Sequence, residues 1–364
     1  MIKILVVDDS ALMRKLLGQI FGKEPDCEVR FARNGIEALE QLQPYQPDVI
    51  TLDVHMPQMD GLACLDRIML ERPCPVVMVS SLTAAGADAT LEALRLGAVD
   101  FVAKPDGAIS LSIHEMAPQL VEKVRSAAAA KLRTSLRLQE RVRHRIGRGV
   151  APQVRRKAAA TPASDSPIAA GAARGEGLVL VGTSTGGPPA LEALLVALPA
   201  TFPWPILVAQ HMPAAFTGPL ARRLDGLCAV SVTEVLQPSP LQPGCVYIGR
   251  GNADIIVSRR VAGLVAMAVP AQPDYPWHPS TDRLVRSAMD HLPAERLIGV
   301  LMTGMGTDGA EAMALLHTQG GRTIAEAEET AVVWGMPGEL VRAQGADWVL
   351  PLPSIAHQLQ KMIA

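Results

Sequence analysis

Three polar residues that together could form a hydrolytic triad follow three apolar, strand-like segments in the C-terminal half. Ser184 lies in VLVGTSTGG, His211 in ILVAQHMP and Asp308 in LIGVLMTGMGTDG. If these segments are parallel strands of one sheet, their carboxyl ends share the edge where open α/β sheets place ligand sites. A nucleophile, a base and an orienting carboxylate would meet there, which predicts a serine hydrolase.

Ser184 is the candidate nucleophile because GTSTGG contains the pattern G-x-S-x-G at residues 182–186. The pattern follows a predicted strand and precedes a helix with prolines near its first turn. Such a turn exposes the serine, and the helix N-terminus offers backbone N–H groups to an anion. A glycine-rich phosphate loop is the alternative, but the segment lacks the lysine of a P-loop and the glycine spacing of a dinucleotide motif.

His211 is one of eight histidines, and His278 in the loop WHPST is the main alternative base. We favour His211 because its segment ends at the predicted sheet edge, 27 residues after Ser184, a separation typical of one βαβ unit.

Asp308 stands among glycines in TGMGTDG. It would accept the N–H of the His211 ring and so select one tautomer. Alternatively, it caps the helix that begins GAEAMALL. The chain order Ser, His, Asp differs from the Ser, Asp, His order of α/β-hydrolases, which favours convergent assembly on another α/β sheet.

The N-terminal segment carries a second constellation, of carboxylates. Asp8 and Asp9 end the first predicted strand and Asp53 ends the third. Three like charges at one sheet edge are costly unless a cation neutralises them. Mg²⁺ suits such a site because it prefers a few carboxylates, waters and a phosphate oxygen.

Two further strand ends add Ser80 and Lys104 to this edge. A metal, an ammonium and a hydroxyl around one carboxylate predict that Asp53 accepts a phosphoryl group. Helix capping is the alternative explanation, but it does not account for the whole set.

The strand and helix patterns predict two α/β domains, each with a doubly wound sheet. We expect a domain with five parallel strands at 1–125, a basic linker rich in alanine and proline at 126–174, and a catalytic domain at 175–364. Four strand-like segments in the catalytic domain, VSVTEVL, CVYIGR, DIIVSR and GLVAMAV, predict a small antiparallel addition.

Composition excludes several classes of protein. Apolar residues make up 49% and no apolar run spans a bilayer, and the first residues lack a secretory signal, so we expect a cytoplasmic protein without membrane insertion. Five scattered cysteines predict neither disulfides nor a zinc site.

Residues 123–157 hold twelve Lys and Arg against one acid, Glu140. We interpret this segment as a solvated tether rather than a nucleic-acid contact.

The motifs of the first domain resemble the receiver domain of two-component response regulators over residues 1 to about 122. They are VVDDS, DVHMPQMDG, VSS and the K-P pair. The resemblance implies a flavodoxin-like fold, Mg²⁺ near Asp8, Asp9 and Asp53, and phosphorylation of Asp53 by a histidine kinase. It also implies that Ser80 and Lys104 contact the phosphoryl group and so sense phosphorylation.

Behind this receiver, GTSTGGP, QHMP, PSTD and LMTGMGTDG resemble the CheB family of chemotaxis protein-glutamate methylesterases. The resemblance implies that Ser184 is the nucleophile, His211 the base and Asp308 its orienting acid. It further implies that the Met305 N–H helps to hold the oxyanion and that the Thr185 hydroxyl supports His211. YIGRGNADIIV departs from the family pattern, which has a proline before the glycine and a histidine near position 254 or 255.

The family resemblance implies hydrolysis of γ-glutamyl methyl esters on cytoplasmic chemoreceptor helices, with possible deamidation of glutamines at the same site. Phosphorylation of Asp53 would relieve inhibition by the receiver, and the esterase site would need no cofactor. Two alternatives remain open: a transcriptional regulator that uses the basic segment on DNA, and a scaffold with an inactive esterase site.

Overall fold

The computed structural model describes residues 1–104, 109–130 and 177–363. The chain divides into two compact units, Met1–Val150 and Ala151–Ala364. Most of the predicted linker, residues 131–174, lies outside the described residues, and so does most of the basic segment. The start of the linker is the end of a helix that continues to Ala128.

The first unit contains five parallel strands, as the sequence predicts, and the structure arranges them in the order β2-β1-β3-β4-β5. The strands are β1 Ile2–Val7, β2 Cys27–Ala32, β3 Val49–Asp53, β4 Val76–Ser80 and β5 Asp100–Ala103. The helices between and after them are α1 Ala11–Phe21, α2 Gly35–Tyr45, α3 Gly61–Glu71, α4 Ala84–Leu96 and α5 Ile109–Ala128. Every residue of β3 and β4 is buried, which explains why these strands are nearly continuous apolar runs.

Side chains define where the first four helices begin. Ser10, Asn34, Asp60 and Thr83 each accept a hydrogen bond from a backbone N–H in the first turn of the following helix. The first N–H groups of a helix have no acceptor within the helix, and such a cap supplies one. These residues therefore fix where each strand-to-helix loop ends.

The second unit is built around a seven-stranded sheet. Its strands and those of a smaller sheet are β6 Leu178–Thr183, β7 Ile206–Gln210, β8 Ser231–Val235, β9 Ser239–Pro240, β10 Cys245–Gly249, β11 Ala253–Arg260, β12 Gly263–Pro270, β13 Leu297–Leu301, β14 Arg322–Glu326 and β15 Trp348–Leu350. Its helices are α6 Gly187–Val196, α7 Ala214–Leu227, α8 Thr281–Met289, α9 Ala310–Thr318, α10 Met336–Arg342 and α11 Leu352–Ile363, with a 3₁₀ turn at Ala294–Arg296.

The large sheet is parallel throughout, in the order β15-β14-β13-β6-β7-β10-β8. The central strand β6 pairs with β13 on one side and with β7 on the other. The three strands that precede Ser184, His211 and Asp308 are therefore immediate neighbours. Their carboxyl ends lie side by side, at the point where strand order reverses.

The antiparallel addition is smaller than the sequence predicts. It contains β11 and β12, joined by the short edge strand β9, in the order β11-β12-β9. The segments VSVTEVL and CVYIGR form β8 and β10, which instead extend the parallel sheet. Residues 236–244 connect β8 and β10, long enough for the chain to cross back, and β9 within this connection pairs with β12.

Among the helices of the described residues, none combines the length and the apolar character needed to cross a bilayer.

We expect Leu180→Ala to destabilise the second unit by about 3 kcal/mol, because it leaves a cavity in the central strand. Leu180 lies in β6, is 0% exposed, and pairs with Leu207 of β7. Urea denaturation measures the change. Leu236→Ala is the matched control, since Leu236 is 61% exposed, and it should change stability by less than about 0.5 kcal/mol. Equal effects of the two substitutions would contradict the assignment of β6 to the core.

Candidate functional site

Ser184 directly follows β6, in a turn held by both neighbouring strands. Its backbone N–H donates to the carbonyl of Thr303 (3.0 Å), and its own carbonyl accepts from the Gln210 side-chain amide (3.0 Å). The turn passes through Gly186, whose φ of +76° is in the left-handed region and where a Cβ would approach Val332 within 2.8 Å. The backbone thus enters α6 abruptly and leaves the Ser184 side chain partly exposed at the sheet edge.

His211 directly follows β7, beside Ser184. Its N–H donates to the carbonyl of Thr183 (3.0 Å), which continues the pairing of β6 with β7. Its side chain is 8% exposed, and Nε2 lies 2.7 Å from Oδ2 of Asp308. The structure therefore brings all three residues of the predicted triad to one edge of one sheet.

The two ring nitrogens of His211 have different surroundings. A carboxylate only accepts, so the proton of the neutral ring lies on Nε2, facing Asp308. Nδ1 then carries the lone pair; it is buried, and it has no hydrogen-bond partner among the described residues. The Ser184 hydroxyl is consequently not bonded to it in this structure, as is common before substrate binds. Nδ1 is the nitrogen available to act as a base.

Asp308 accepts four hydrogen bonds, most of them from the start of α8. Oδ1 accepts from the Ser280 hydroxyl (2.9 Å) and the Asp282 N–H (3.1 Å). Oδ2 accepts from the Thr281 N–H (2.6 Å) as well as from His211. Burial alone would raise the pKa of Asp308, but His211 and these N–H groups outweigh it and hold that pKa below its ordinary value. Asp308 is thus a stable anion beside the imidazole.

The sequence did not reveal this role of the α8 N-terminus. The alternative interpretation of Asp308, as the cap of α9, is not what the structure has, because the cap position is Gly309 and the Asp308 carboxylate bonds to the start of α8 instead. The available signal was the segment PSTD, in which Ser280 caps α8 by accepting from the Arg283 N–H. Its Ser280 hydroxyl and Thr281 N–H are the groups that point at Asp308.

His278, the alternative base, bonds to a different carboxylate. Its Nδ1 lies 2.8 Å from Oδ1 of Asp254, and Oδ2 of Asp254 accepts from Arg283 (2.6 Å). Asp254 is 0% exposed and also accepts from the Ser280 N–H (2.8 Å). Asp254 occupies the region in which the family pattern has a histidine. His278 therefore lies in the loop before α8, where it bonds Asp254, and not at the end of a central strand.

Met305 and Thr185 lie in the two loops that flank the triad. The N–H of Gly304 donates to Val333 (3.0 Å), whereas the next N–H, that of Met305, has no acceptor among the described residues. Thr185 is buried, and its carbonyl accepts from the Thr303 hydroxyl (2.8 Å). The geometry leaves the Met305 N–H available to an oxyanion. That role, and the support of His211 by Thr185, stay predictions.

In the first unit, the predicted acidic residues do lie together. Asp8, Asp9 and Asp53 present oxygens that lie within 4.8 Å of one another. The Lys104 ammonium lies 3.0 Å from Oδ2 of Asp8 and 2.8 Å from Oδ2 of Asp53. Burial raises the pKa of Asp8, the Lys104 charge opposes this, and the Asp53 charge adds to it.

This donor set fits Mg²⁺. All three residues supply carboxylate oxygens, which are the ligands this ion prefers. The buried Oδ2 of Asp8 has no aligned hydrogen-bond donor among the described residues, although the Lys104 charge is near. A divalent cation would satisfy that oxygen and offset the repulsion that Asp53 adds.

Ser80 ends β4 at the same edge, but its hydroxyl faces elsewhere. It donates to the carbonyls of Gly86 (3.2 Å) and Ser81 (3.4 Å), and its side chain is 0% exposed. A phosphoryl group on Asp53 would therefore have to draw the Ser80 hydroxyl away from the start of α4. The sensing role predicted for Ser80 and Lys104 remains a prediction.

Comparison with known proteins places the same two units in known families. The family model described as CheB methylesterase matches residues 179–359, and the response regulator receiver domain matches residues 4–113. The chain is 59% identical over 356 residues to protein-glutamate methylesterase/protein-glutamine glutaminase 2 of Rhodopseudomonas palustris, which covers 98% of this chain and 96% of that protein.

Two further similarities, to a curated protein and to a crystal structure, indicate the same family. A protein of the same name, numbered 3, from Vibrio cholerae is 44% identical over 93% of this chain and 90% of its own length. The crystal structure of the Thermotoga maritima CheB methylesterase catalytic domain is 34% identical, with a TM-score of 0.50, and covers 52% of this chain and 99% of that one.

A buried carboxylate beside the triad makes stability depend on pH. Burial, together with the charge of Asp308, raises the pKa of Asp282 to about 6, although its carboxylate accepts from the Ala312 N–H (2.8 Å). Between about pH 4 and pH 6 the folded chain therefore keeps a proton on Asp282 that the unfolded chain has lost. The free energy of unfolding falls as pH rises through this window.

We expect Asp282→Asn to reduce, by about 2 kcal/mol, the decrease in the free energy of unfolding between about pH 4 and pH 6. Urea denaturation of variant and wild type at several pH values measures it. The exposed Asp274→Asn serves as control and should follow the wild-type curve. An Asp282→Asn curve parallel to that of the wild type would refute the raised pKa.

Proposed function

The chain belongs to the CheB methylesterase family and carries the receiver domain of a response regulator ahead of the methylesterase domain. From this premise we propose that it hydrolyses γ-methyl esters of glutamate on methyl-accepting chemotaxis receptors and releases methanol. The observation that best supports this is the 2.7 Å contact of His211 with Asp308 beside Ser184, at the ends of three adjacent strands. Its relatives are also named protein-glutamine glutaminases, so we extend the proposal to deamidation of receptor glutamines at the same site.

In the proposed acylation step, the Ser184 hydroxyl attacks the ester carbonyl while Nδ1 of His211 takes its proton. Asp308 holds the Nε2 proton and stabilises the imidazolium that forms. The oxyanion accepts from the Met305 N–H. As the carbonyl reforms, Nδ1 returns the proton to the departing methoxy oxygen, and methanol leaves.

Deacylation repeats these transfers with water. Nδ1 removes a proton from the water that attacks the acyl-enzyme, and Ser184 recovers a proton when the glutamate carboxylate departs. With glutamine as substrate, ammonia leaves in place of methanol. We assign the Thr185 hydroxyl to the support of His211 through both steps, and we assign no cofactor to the esterase site.

The receiver domain supplies the regulation in this proposal. A histidine kinase donates a phosphoryl group to Asp53. Asp8, Asp9 and Asp53 are the residues that would hold Mg²⁺, which would supply positive charge to offset the charge that develops during transfer. Phosphorylation adds roughly two negative charges at the strand edge, which Lys104 and Ser80 then contact. The phosphorylated receiver favours a state in which it no longer inhibits the esterase domain.

We place this activity in the cytoplasm, where the methylated receptor helices and the kinase lie, without membrane insertion and without a nucleic-acid partner. A transcriptional regulator would need a groove-reading module after the receiver. Residues 177–363 fold instead around the seven-stranded sheet that bears Ser184 and His211. An inactive scaffold would not need the buried and charged Asp308 beside an imidazole.

We expect Ser184→Ala to lower methanol release from methylated receptor membranes by at least about 10³-fold, because no other hydroxyl forms the acyl-enzyme. The loss should appear both with and without Mg²⁺ and a phosphodonor. Ser258→Ala, in β11 of the small sheet, is the matched control and should keep wild-type activity. Activity of Ser184→Ala equal to that of the control would remove the mechanism.

We expect Asp53→Asn to retain basal methanol release and to lose its stimulation by a phosphodonor with Mg²⁺, because the amide cannot accept the phosphoryl group. The same membrane assay measures the ratio of stimulated to basal rates. Asp48→Asn, an acid that precedes β3 and bonds the Lys3 N–H, tests for a general effect of charge in this unit. Stimulation that survives in Asp53→Asn would refute phosphorylation at this residue.

A further inference from the structure

Trp277 lies beside the candidate base and is not part of the triad. Its ring centroid is 6.1 Å from that of His211, and the two rings are nearly parallel, 7° apart. This is an offset, parallel arrangement, which leaves both imidazole nitrogens able to bond in the ring plane. Trp277 itself is only partly buried, so it also borders solvent at the site.

The same indole contacts the loop that carries the candidate oxyanion donor. Gly306, directly after Met305, has φ +84°, and a Cβ at this position would lie 2.7 Å from Cζ2 of Trp277. Only glycine allows the loop to pass this close to the indole. Trp277 therefore extends from the base His211 to the residue next to the Met305 N–H.

The loop that holds Trp277 is fixed by buried polar contacts. The next residue, His278, bonds Asp254 (2.8 Å), and the Ser280 N–H donates to the same Asp254 oxygen (2.8 Å). Asp254 is fully buried and is also paired with Arg283. Because these bonds begin one residue after Trp277, the indole lies on a preorganised loop rather than on a mobile one.

We propose that Trp277 contacts substrate and determines which ester is accepted, by forming the wall of the space that receives the leaving alcohol. The inference rests on the proposed esterase function. An imidazole that returns its proton to the departing oxygen must lie within hydrogen-bond reach of that oxygen. The alkyl group on that oxygen is then within a few bond lengths of the His211 ring, where the indole limits its size. A methyl group fits in this space, and a longer chain meets the indole.

The test compares esters within one enzyme sample. Full-length wild type and variants, with Mg²⁺ and a phosphodonor, are given a helical peptide bearing the γ-methyl, γ-ethyl or γ-propyl ester of one glutamate, and the released alcohol is measured. For Trp277→Ala we expect the preference for methyl over propyl ester, as the ratio of kcat/KM values, to fall at least about tenfold. Trp277→Phe, which keeps an aromatic wall, should retain most of the preference.

This ratio separates a specificity role from a structural one, because a smaller folded fraction lowers both rates equally. Trp204→Ala is the matched control: Trp204 is also partly buried in this unit but precedes β7, at the opposite edge of the sheet. It should leave the ratio unchanged. If Trp277→Ala does not fold, Trp277→Leu replaces it with the same expectation.

An unchanged ratio in a Trp277 variant, with an active wild type, would overturn the proposal for Trp277 and leave the esterase function intact. If wild type hydrolyses none of the esters, the esterase function itself fails, and the proposal for Trp277 fails with it.

Discussion

The interaction on which the catalytic unit depends is the binding of the Asp308 carboxylate at the N-terminus of α8. A buried carboxylate is costly unless donors replace the water it loses. Here the Ser280 hydroxyl and the first N–H groups of α8 supply those donors, and the helix dipole adds a favourable field. The anion can then lie 2.7 Å from His211 and keep its charge. Without these donors Asp308 would tend to take up a proton, and the imidazole would lose its orienting partner.

The same physical problem has a different solution in the receiver unit. There Asp8 and Asp53 also lie buried at the carboxyl ends of parallel strands, and the Lys104 ammonium lies within 3.0 Å of both. Fixed helix donors suit a carboxylate that must remain an anion throughout a reaction. A single ammonium, with room for a divalent ion, suits carboxylates whose charge must be balanced while a phosphoryl group arrives. Each unit thus neutralises its acids in a way that matches the chemistry we propose for it.

Strand ends were the predictable part of both sites. Ser184 and His211 follow nearly uninterrupted apolar strands, and parallel topology requires such ends to share an edge, so their proximity could be inferred without coordinates. The five receiver strands could be inferred for the same reason. The contacts that orient the side chains could not, because they join segments far apart in the chain. Asp308 is 28 residues from the Ser280 that holds it, and Ser80 faces Gly86 rather than Asp53.

The sequence pattern also predicted the wrong direction of pairing for two strands. β8 and β10 are successive strand-like segments in the sequence, yet the two-residue strand β9 between them pairs with β12, and both β8 and β10 join the parallel sheet. Likewise, nothing in the segment PWHPST indicates that Trp277 stacks on His211 or that His278 bonds Asp254, since both partners come from distant segments of the chain.

The central claim is that Asp308 holds the Nε2 proton of His211 and leaves Nδ1 as the base. Nitrogen NMR of the protein labelled in its histidine rings tests it most directly, with the His211 signals assigned by their loss in His211→Gln. The account predicts that the neutral ring carries its proton on Nε2, and that Asp308→Asn gives a mixture of tautomers. A proton found on Nδ1 in the wild type, or ring signals unchanged by Asp308→Asn, would contradict it.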